Sequence, residues 1–345
     1  MSIQSTLFDA DLPDESPAMT TEQLLAYDRV IVLFSGGKDC TASLLHLLDL
    51  GVDRSRIELW HHEVDGREGV TLPMDWPSTP DYCRKFAQAF GVPIYFSWKT
   101  GGFEGEMLRE NARTRPVLFE TPDGVMQGGG VGGKRSTRLR FPQVSADLSV
   151  RWCSAYLKID VASLAIHNQD RFYGGSTLVV SGERAEESPA RARYRVLEPD
   201  RTDNRNGKLH PRYVDHWRPV HGWLEAEVWE IIGRYRVNPA PAYRLGWGRL
   251  SCMTCIFGSP NQWASVGKIA PDRLNRIAQY EAQFGCTIHR SQSVLARAAQ
   301  GTPYPMPEDA IRIAMSEEYT EPIILPEDVE WVLPLGAFGE KDGPC

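Results

Sequence analysis

A glycine-containing turn near the start of the sequence has the residue types needed to hold a phosphate. The apolar run Val30 to Phe34 is followed by Ser35-Gly36-Gly37-Lys38-Asp39-Cys40 and then by an apolar periodicity that continues to Leu50. This order predicts a buried strand, a tight turn and the start of a helix. Glycine lets the backbone approach an anion closely, and the N–H groups of such a turn bind phosphate together with a helix N-terminus. The spacing differs from that of the Walker loop, which places four residues between its first glycine and Gly-Lys-Ser/Thr.

A second glycine turn follows a later apolar run, Thr177 to Ser181, and carries charged residues. It begins with Gly182-Glu183-Arg184 and continues through Glu187-Ser188 to Arg191. Because ligands of parallel α/β sheets bind outside the carboxyl ends of strands, we expect this turn at a binding site. Arginine side chains there can clamp a phosphate through bidentate hydrogen bonds. A structural ion pair between Arg184 and Glu187 is the alternative.

The seven cysteines include one closely spaced pair, Cys252-x-x-Cys255. Such a pair is typical of zinc sites, iron–sulfur clusters and redox-active dithiols. The sequence has no second Cys-x-x-Cys and no histidine pair nearby to complete an ordinary zinc site. Cys40 and Cys83 fall in predicted helices, so we expect them in the core. Cys345 has the exposure that a redox cysteine needs, but a frayed chain end is the simpler explanation.

Two further stretches carry titratable or basic residues outside these motifs. His61 and His62 end a predicted strand, in which adjacent residues face opposite sides, so we expect one to pack and the other to line a pocket. The segment Pro122 to Pro142 is expected to be a long mobile loop. Its basic stretch, Lys134 to Arg140, lies beside five glycines. This stretch could become ordered when it binds phosphate or nucleic acid; a solvated loop is the alternative.

Composition indicates an ordinary globular protein. Hydrophobic residues make up 42% of the 345 residues and charged residues 24%. No apolar run is long enough to span a membrane, so we expect no membrane partner. The first residues are acidic and lack a secretory apolar core, which predicts a cytoplasmic protein with free thiols rather than disulfides. The net charge of −7 argues against non-specific nucleic-acid binding by the whole surface, whereas local basic patches are compatible with it.

Strand and helix signals alternate from Arg29 onward, which predicts an α/β fold with a parallel sheet flanked by helices. The expected strands are Val30 to Phe34, Ile57 to Glu63, Val92 to Trp98 and Thr177 to Ser181. The expected helices are Asp81 to Phe90, Glu104 to Arg113, Arg151 to His167, Leu224 to Tyr235, Pro271 to Phe284 and Asp309 to Met315. We expect a flexible acidic tail over residues 1–24 and a nucleotide-binding domain over residues 25–250. The Cys-x-x-Cys segment and a mostly helical C-terminal appendage then occupy residues 251–345.

The phosphate-binding string resembles the pyrophosphate loop of the N-type ATP pyrophosphatases, which cut ATP between its α- and β-phosphates. Four later segments occur in the order found in the phosphoadenosine-phosphosulfate reductase family of that superfamily. They are Arg151 to Lys158, Ser181 to Arg191, Trp217 to Val220 and Tyr243 to Phe257. The resemblance covers roughly residues 29 to 260. It implies an adenine-nucleotide α-hydrolase-like, Rossmann-like fold.

The resemblance is strongest to the branch of this family that uses ATP for sulfur transfer. Sulfonucleotide reductases carry a Glu-Cys-Gly-Leu-His segment, which the sequence does not contain, and their phosphate loop usually departs from Ser-Gly-Gly-x-Asp. The intact loop therefore implies ATP as the substrate. The ATP-using branch resembles the enzymes of DNA phosphorothioation and tRNA thiolation, which adenylate an oxygen atom, release pyrophosphate and let sulfur displace AMP. Two alternatives stay open: a sulfonucleotide reductase, and a non-catalytic iron–sulfur or nucleotide-sensing module.

The resemblance implies roles for individual residues of both glycine turns. Ser35, Gly36 and Gly37 are expected to cradle the pyrophosphate. Lys38 is expected to neutralise a β- or γ-phosphate oxygen, and Asp39 to hold Mg²⁺. The remaining expected ATP-binding residues are Cys40, Gly182, Arg184 and Ser188. The expected catalytic residues are Lys38, Asp39, Arg184, Glu187 and Arg191.

A 4Fe-4S cluster is expected from the same resemblance. Cys153 occupies the position at which iron–sulfur members of the family place a ligand, although they carry two adjacent cysteines where this chain has Trp152-Cys153. Thiolate ligation by Cys153, Cys252 and Cys255 is therefore predicted. Either Cys286 supplies the fourth ligand or one iron stays open to bind sulfide. Zinc and plain thiols are the alternatives.

Three partners are expected. A sulfur-transfer enzyme needs a sulfur donor such as a cysteine desulfurase, and a nucleic acid is an expected acceptor. The peptide Gln4-Ser-Thr-Leu-Phe8 resembles the Gln-x-x-Leu-Phe ligand of the bacterial sliding clamp. The alternative is that Leu7 and Phe8 pack on the α/β domain and tie the tail down.

Overall fold

The computed structural model describes residues 19–340, and within them a sheet of eight strands forms the centre of the fold. The strands are β1 (Arg29–Leu33), β2 (Ile57–Glu63), β3 (Ile94–Lys99), β4 (Val117–Thr121), β5 (Gly124–Gly128), β6 (Ser176–Val180), β7 (Leu197–Pro199) and β8 (Tyr213–Trp217). Their order across the sheet is β5-β4-β3-β2-β1-β6-β8-β7. This is the expected α/β, Rossmann-like class of fold.

The middle of the sheet is parallel. Strands β3, β2, β1, β6 and β8 run in one direction, with Val30 of β1 paired to Ile57 of β2 and to Leu178 of β6. The edge strands β4, β5 and β7 are antiparallel to their neighbours. From β1 the chain first adds β2 and β3 on one side of the sheet. It later adds β6 and β8 on the other side of β1, so the direction in which strands are added reverses between β1 and β6. Open α/β sheets bind ligands at that switch point.

Helices cover both faces of the sheet and build the C-terminal region. They are α1 (Thr21–Leu25), α2 (Lys38–Asp49), α3 (Thr79–Phe90), α4 (Gly102–Met107), α5 (Trp152–Ser154), α6 (Asp160–His167), α7 (Pro189–Ala192), α8 (Glu225–Arg234), α9 (Pro241–Arg244), α10 (Pro260–Ile269), α11 (Pro271–Phe284), α12 (Val294–Gln300) and α13 (Glu308–Ala314). On one face, Val30 and Val32 pack in a core with residues of α2, α3 and α8. On the other face, Ile31 packs against α6. Strand β1 is buried on both faces, which explains its uninterrupted apolar sequence.

The C-terminal helices share a core with an earlier part of the chain. Trp263 of α10 lies in one apolar cluster with Trp76, Trp152 and Trp247. The region after residue 250 therefore packs directly on the segment that leads into α6. The four tryptophans are almost fully buried, and burying such large side chains is strongly stabilising.

Three predicted segments differ from the structure. The helix predicted over Glu104 to Arg113 is only Gly102–Met107, so it begins earlier and ends six residues sooner than expected. Strand β5 lies within Pro122 to Pro142, and Ser136 pairs with Ala112 through backbone hydrogen bonds, so the interpretation of this segment as one long loop was wrong. The sequence signal was weak because β5 is an exposed edge strand with glycine at both ends. The predicted helix Arg151 to His167 is interrupted by a π-helical turn, Ala155–Ile159. Such turns occur frequently at functional sites.

Part of the expected N-terminal tail has a defined structure. Helix α1 begins with a capping box at Thr20, and its Leu24 is buried in the core. The peptide Gln4 to Phe8 and the terminal Cys345 lie outside the described residues. No helix within residues 19–340 has both the length and the apolar character needed to cross a membrane.

Candidate nucleotide-binding site

A cavity of about 640 Å³ opens at the carboxyl ends of the parallel strands, on both sides of the switch point. It continues beneath α6, where apolar side chains of the sheet form its floor. Its polar lining includes Ser35 after β1, His61 and His62 at the end of β2, Ser181 after β6 and His216 at the end of β8. We call it the nucleotide cavity. The position of the cavity at the switch point and its volume suit a ligand of the size of a nucleotide.

The predicted phosphate loop borders this cavity at Ser35. Ser35 is exposed and borders the cavity, whereas Gly36 and Gly37 are buried. Gly36 has a φ of +79°, and a Cβ at this position would lie 3.0 Å from Cys83 Sγ, so glycine is required there. Gly37 is the N-cap of α2 and has no side chain to cap it. The Cys40 thiol donates to the Gly37 carbonyl at 3.1 Å, and burial raises its pKa, as expected of a core cysteine.

A later segment of the chain covers the phosphate loop. The Tyr243 hydroxyl accepts hydrogen bonds from the backbone N–H of Lys38 at 2.8 Å and from that of Leu250 at 3.1 Å. The Leu250 side chain lies 3.4 Å from where a Cβ of Gly36 would be. A phosphate that used the Lys38 N–H would therefore take the place of the Tyr243 hydroxyl. Sequence reasoning included Tyr243 in a family segment but gave it no role.

Lys38 is held inside the protein. It is 5% exposed, and its ammonium donates to the Gly248 carbonyl at 3.0 Å. The same Nζ lies 3.5 Å from Asp39 Oδ2 and 3.8 Å from Glu225 Oε1. In this structure the cation thus neutralises two carboxylates and is directed away from the nucleotide cavity.

Asp39 and Arg184 join the two glycine turns. Arg184 is 1% exposed, and its Nε donates to Asp39 Oδ1 at 2.6 Å while Nη1 donates to Glu186 at 2.5 Å. Burial alone would raise the pKa of the Asp39 carboxyl, but the Lys38 and Arg184 charges outweigh it and lower the pKa below its usual value. The Arg184 side chain is therefore part of a structural ion-pair network, with Asp39 and Glu186 as the partners instead of the Glu187 considered from the sequence.

The remaining residues of the second glycine turn hold the turn in shape. Glu187 accepts from the backbone N–H of Arg184 at 2.9 Å and also from the Arg191 guanidinium. Ser188 Oγ accepts from the Arg191 backbone N–H at 3.2 Å and caps α7. Gly182 approaches α2 so closely that a Cβ would lie 2.6 Å from the Asp39 carbonyl carbon. Glycine at this position is therefore a requirement of packing between β6 and the phosphate loop.

Both His61 and His62 of β2 border the cavity, because the cavity encloses the end of this strand. The expectation that only one of them would line a pocket was wrong. His61 Nδ1 lies 2.9 Å from the Phe34 carbonyl oxygen and must carry the proton that is donated to it. Burial lowers the pKa of His61 to about 4, so the ring is neutral. Its Nε2 is buried without a partner among residues 19–340 and is left as an acceptor for a ligand.

A polar network on the other side of the switch point was missed by sequence reasoning. Ser181 Oγ lies 2.7 Å from His216 Nε2 and donates to Glu183 at 3.0 Å, and Arg218 Nε donates to the same carboxylate at 2.6 Å. These residues all line the nucleotide cavity. Asp75 lines it as well; burial, reinforced by the Asp65 charge, raises the pKa of Asp75 to about 7. A carboxyl that titrates near neutrality in a cavity is a candidate acid or base.

A second cavity, of about 280 Å³, adjoins the first and is lined by Cys153, Cys252 and Cys255. We call it the cysteine cavity. Cys252 and Lys158 border both cavities. Burial, reinforced by the neighbouring Cys255, raises the pKa of Cys153 to about 11. Burial and the Asp75 carboxylate likewise raise the pKa of Cys252, so both thiols are protonated at neutral pH.

The predicted cluster ligands are brought together only in part. The three thiols share one cavity, whereas Cys286, after α11, does not line it. Among residues 19–340, no three Cys, His, Asp or Glu side chains are placed closely enough to hold a metal ion. The side-chain positions of this structure therefore do not fit a 4Fe-4S cluster. Asp39, the expected Mg²⁺ ligand, is paired with Arg184.

Comparison with known proteins gives a family match over part of the chain. The sequence profile of the phosphoadenosine phosphosulfate reductase domain matches residues 139–257. An uncharacterized 37.8 kDa protein in the gpa 5′ region of Escherichia phage 186 is 29% identical over 185 residues, which cover 52% of this chain. The chain matches only 50% of that relative's length.

The solved structures that were compared with this protein resemble it only weakly. Candida glabrata FMN adenylyltransferase in complex with FAD and inorganic pyrophosphate is 11% identical, with a TM-score of 0.36 over 67% of this chain and 58% of that chain. The same enzyme in complex with ATP is 10% identical, with a TM-score of 0.36 over 67% and 56% of the two chains. The fold assignment therefore rests on the strand order described above. The profile match contains all four later motif segments, so residues 139–257 are similar to the phosphoadenosine phosphosulfate reductase domain.

Proposed function

We propose that this protein is an ATP pyrophosphatase that activates an acceptor oxygen as its adenylate and lets sulfur replace that oxygen. One observation carries the proposal: the cavity bordered by the phosphate loop adjoins a cavity lined by three cysteines, and Cys252 borders both. An adenylate formed in the first cavity would lie beside a sulfur held in the second. Such proximity replaces a bimolecular encounter and accounts for a large part of many rate enhancements.

The first step is the attack of the acceptor oxygen on the α-phosphorus of ATP. The bond between that phosphorus and the α,β-bridging oxygen breaks, and pyrophosphate leaves with the electron pair. The N–H groups from Ser35 to Lys38 are proposed to hold the leaving pyrophosphate, with a phosphate oxygen in place of the Tyr243 hydroxyl. Mg²⁺, when bound with ATP, neutralises phosphate charge. Asp39 is the proposed carboxylate ligand, and it must then exchange its contact with Arg184 for the metal.

The second step replaces oxygen by sulfur. The outer sulfur of a cysteine persulfide attacks the carbon that bears the adenylate, the carbon–oxygen bond breaks, and AMP leaves with the acceptor's oxygen. A second cysteine thiol then attacks the cysteine-bound sulfur, which releases the thiolated acceptor and leaves a disulfide between the two cysteines. An external dithiol reductant restores the thiols. A cysteine desulfurase is the proposed source of the sulfur, and Cys153, Cys252 and Cys255 are proposed to receive it. A 4Fe-4S cluster on these thiols would require side-chain movement, and no step above depends on it.

The sulfur step is tested by transfer of label. Protein is incubated with [35S]cysteine, a purified cysteine desulfurase, a dithiol reductant, and pooled tRNA or single-stranded DNA, with and without ATP. We expect ATP-dependent incorporation that Cys252→Ser abolishes. Cys286→Ser is the matched control, because Cys286 lines neither cavity, and it should leave incorporation intact. Incorporation that is independent of ATP, or none with either nucleic acid, contradicts the proposal.

A sulfonucleotide reductase is the second candidate, because the matched domain is named for that activity. It predicts release of sulfite from adenylyl sulfate or its 3′-phosphate in the presence of a dithiol reductant. Parallel assays with these substrates and with ATP separate the two candidates. Sulfite release without pyrophosphate formation from ATP would favour the reductase.

A further inference from the structure

An aromatic and basic rim lies where the two cavities meet. Tyr194 borders both the nucleotide cavity and the cysteine cavity, and the residue is 36% exposed. Its neighbours Arg193 and Arg195 are exposed as well. We call these three residues the rim. An aromatic ring flanked by cations is the combination that holds single-stranded nucleic acids, in which bases stack on the ring and phosphates meet the cations.

The Tyr194 ring is held in place from within the protein. The Arg218 guanidinium lies 5.1 Å from the ring centroid. Arg218 is itself fixed, since Nε donates to Glu183 at 2.6 Å and Nη1 donates to Glu198 at 2.8 Å. The ring therefore loses little freedom when a base stacks on it, which favours binding.

The cysteine cavity beside the rim is electropositive. Its lining contains four cations, Arg151, Lys158, Arg191 and Arg249, and one carboxylate, Glu183. Arg191 is paired with Glu187, so the excess comes from the other three cations. This local excess stands out in a chain with a net charge of −7. Two nitrogens of Arg151, Nε and Nη1, are buried without a hydrogen-bond partner among the residues that the structure describes. Buried donors are normally satisfied, so these two point to a partner that the protein itself does not supply, such as a bound water or anion.

The basic stretch Lys134 to Arg140 continues this surface. The Arg138 guanidinium lies 4.6 Å from the Trp152 ring centroid and 4.8 Å from that of Tyr156. These two residues flank Cys153, so the stretch lies next to the cysteine cavity. Lys134 at its start is exposed. Arg138 itself is paired with Glu106 at 2.8 Å, so the exposed Lys134 and Arg135 are the cations that extend the surface from the cysteine cavity.

We propose that the rim and the cations of the cysteine cavity dock a single-stranded nucleic acid and present one of its bases where the two cavities meet. The inference rests on the proposed function, since it names the acceptor of that reaction. Tyr194 stacks on the base, and the arginines contact the flanking phosphates. A duplex is excluded as the ligand of this surface because stacking on Tyr194 requires an unpaired base face.

Fluorescence anisotropy with labelled 20-nucleotide strands tests the role of Tyr194. Tyr194→Ala should weaken binding by about 5- to 150-fold, the loss expected for one stacked base, while Tyr194→Phe should bind nearly as well as the parent protein. Tyr213→Ala is the matched control. Tyr213 is 43% exposed and has the Arg205 guanidinium 3.9 Å from its ring centroid, but it lies at the opposite end of β8. An unchanged affinity of Tyr194→Ala would overturn the proposal.

The salt dependence of binding tests the arginines. The double variant Arg193→Ala/Arg195→Ala should reduce the slope of log K against log salt concentration by about 1.4, because each phosphate contact on a single strand contributes about 0.7. Arg312→Ala, at an exposed arginine of α13, should leave the slope unchanged. Equal binding of a duplex, or equal competition by polyglutamate, would show a generic polyanion surface and contradict the inference.

Parallel arms with RNA and DNA of the same sequence identify the acceptor, since a contact with the 2′-hydroxyl distinguishes them. Binding is measured without ATP, and release of AMP and pyrophosphate from ATP is measured separately. If ATP is cleaved but Tyr194-dependent strand binding is absent, the docking proposal fails and the proposed function stands. If strands bind but ATP gives no AMP, the proposed function fails and the docking surface stands.

Discussion

The close approach of Gly182 to the phosphate loop makes Gly182→Ala a sharp test of the site geometry. The new Cβ would lie 2.6 Å from the Asp39 carbonyl carbon and 2.7 Å from the Cys40 nitrogen, and both are backbone atoms. Carbon atoms pack comfortably at about 3.5 Å, so the turn after β6 and the start of α2 must separate by about 0.9 Å. Overpacking of this kind costs about 1–3 kcal/mol of stability.

The same displacement acts on the ion pair that joins the two turns. Arg184 Nε donates to Asp39 Oδ1 at 2.6 Å, and a separation of about 0.9 Å brings the distance to the limit of a hydrogen bond. We therefore expect Gly182→Ala to lose about 1.5–3 kcal/mol of stability with this charge-assisted hydrogen bond. It should also weaken ATP binding, because the phosphate loop at the start of α2 is displaced. Isothermal titration with a non-hydrolysable ATP analogue and thermal unfolding measure the two effects.

Gly222→Ala is the matched control for this prediction. A Cβ on Gly222 meets no atom within 4 Å, and its backbone is not in the left-handed region. It should bind the ATP analogue and unfold like the parent protein. If Gly182→Ala behaves in the same way, the packing of β6 against the phosphate loop is not as described.

Two further predictions concern titration and metal content. The carboxyl of Asp75 has a pKa of about 7 in the folded protein, whereas its ordinary value is 3.8. Between these two pH values the folded state therefore binds more protons than the unfolded state. The stability that this group contributes falls as the pH rises from 3.8 to about 7. Denaturant unfolding at several pH values should give a flatter profile for Asp75→Asn than for the parent; parallel profiles would refute the assignment. Because the three thiols are not placed closely enough to hold a metal ion, anaerobically purified protein should contain far less than stoichiometric iron and acid-labile sulfide. Stoichiometric iron and sulfide that Cys252→Ser loses and Cys286→Ser retains would contradict the side-chain positions described.

Elements with strong local signals were predicted closely from the sequence. Helix α11 spans Pro271–Phe284 as expected, because proline begins it and Gly285, with a φ of +63°, ends it. Strand β2 spans Ile57–Glu63 as expected. The phosphate loop was also found, since it needs only a strand, glycines and a helix start in succession.

Contacts between distant parts of the chain could not be predicted. The Tyr243 hydroxyl that covers the phosphate loop is 205 residues from its partner Lys38. Strand β8 was missed because its residues Tyr213–Trp217 include Asp215 and His216, which interrupt the apolar pattern. The His216–Ser181 contact and the raised pKa of Asp75 depend on burial in the assembled fold, which no local pattern encodes.

The position at which ATP is cut tests the central claim most directly. With ATP labelled in the α-phosphate, the protein should form labelled AMP and release pyrophosphate, and the presence of an acceptor strand should increase the rate. Asp39→Ala should abolish this turnover, whereas Asp53→Ala, at an exposed aspartate before β2, should not. ADP and inorganic phosphate as the only products would contradict the account.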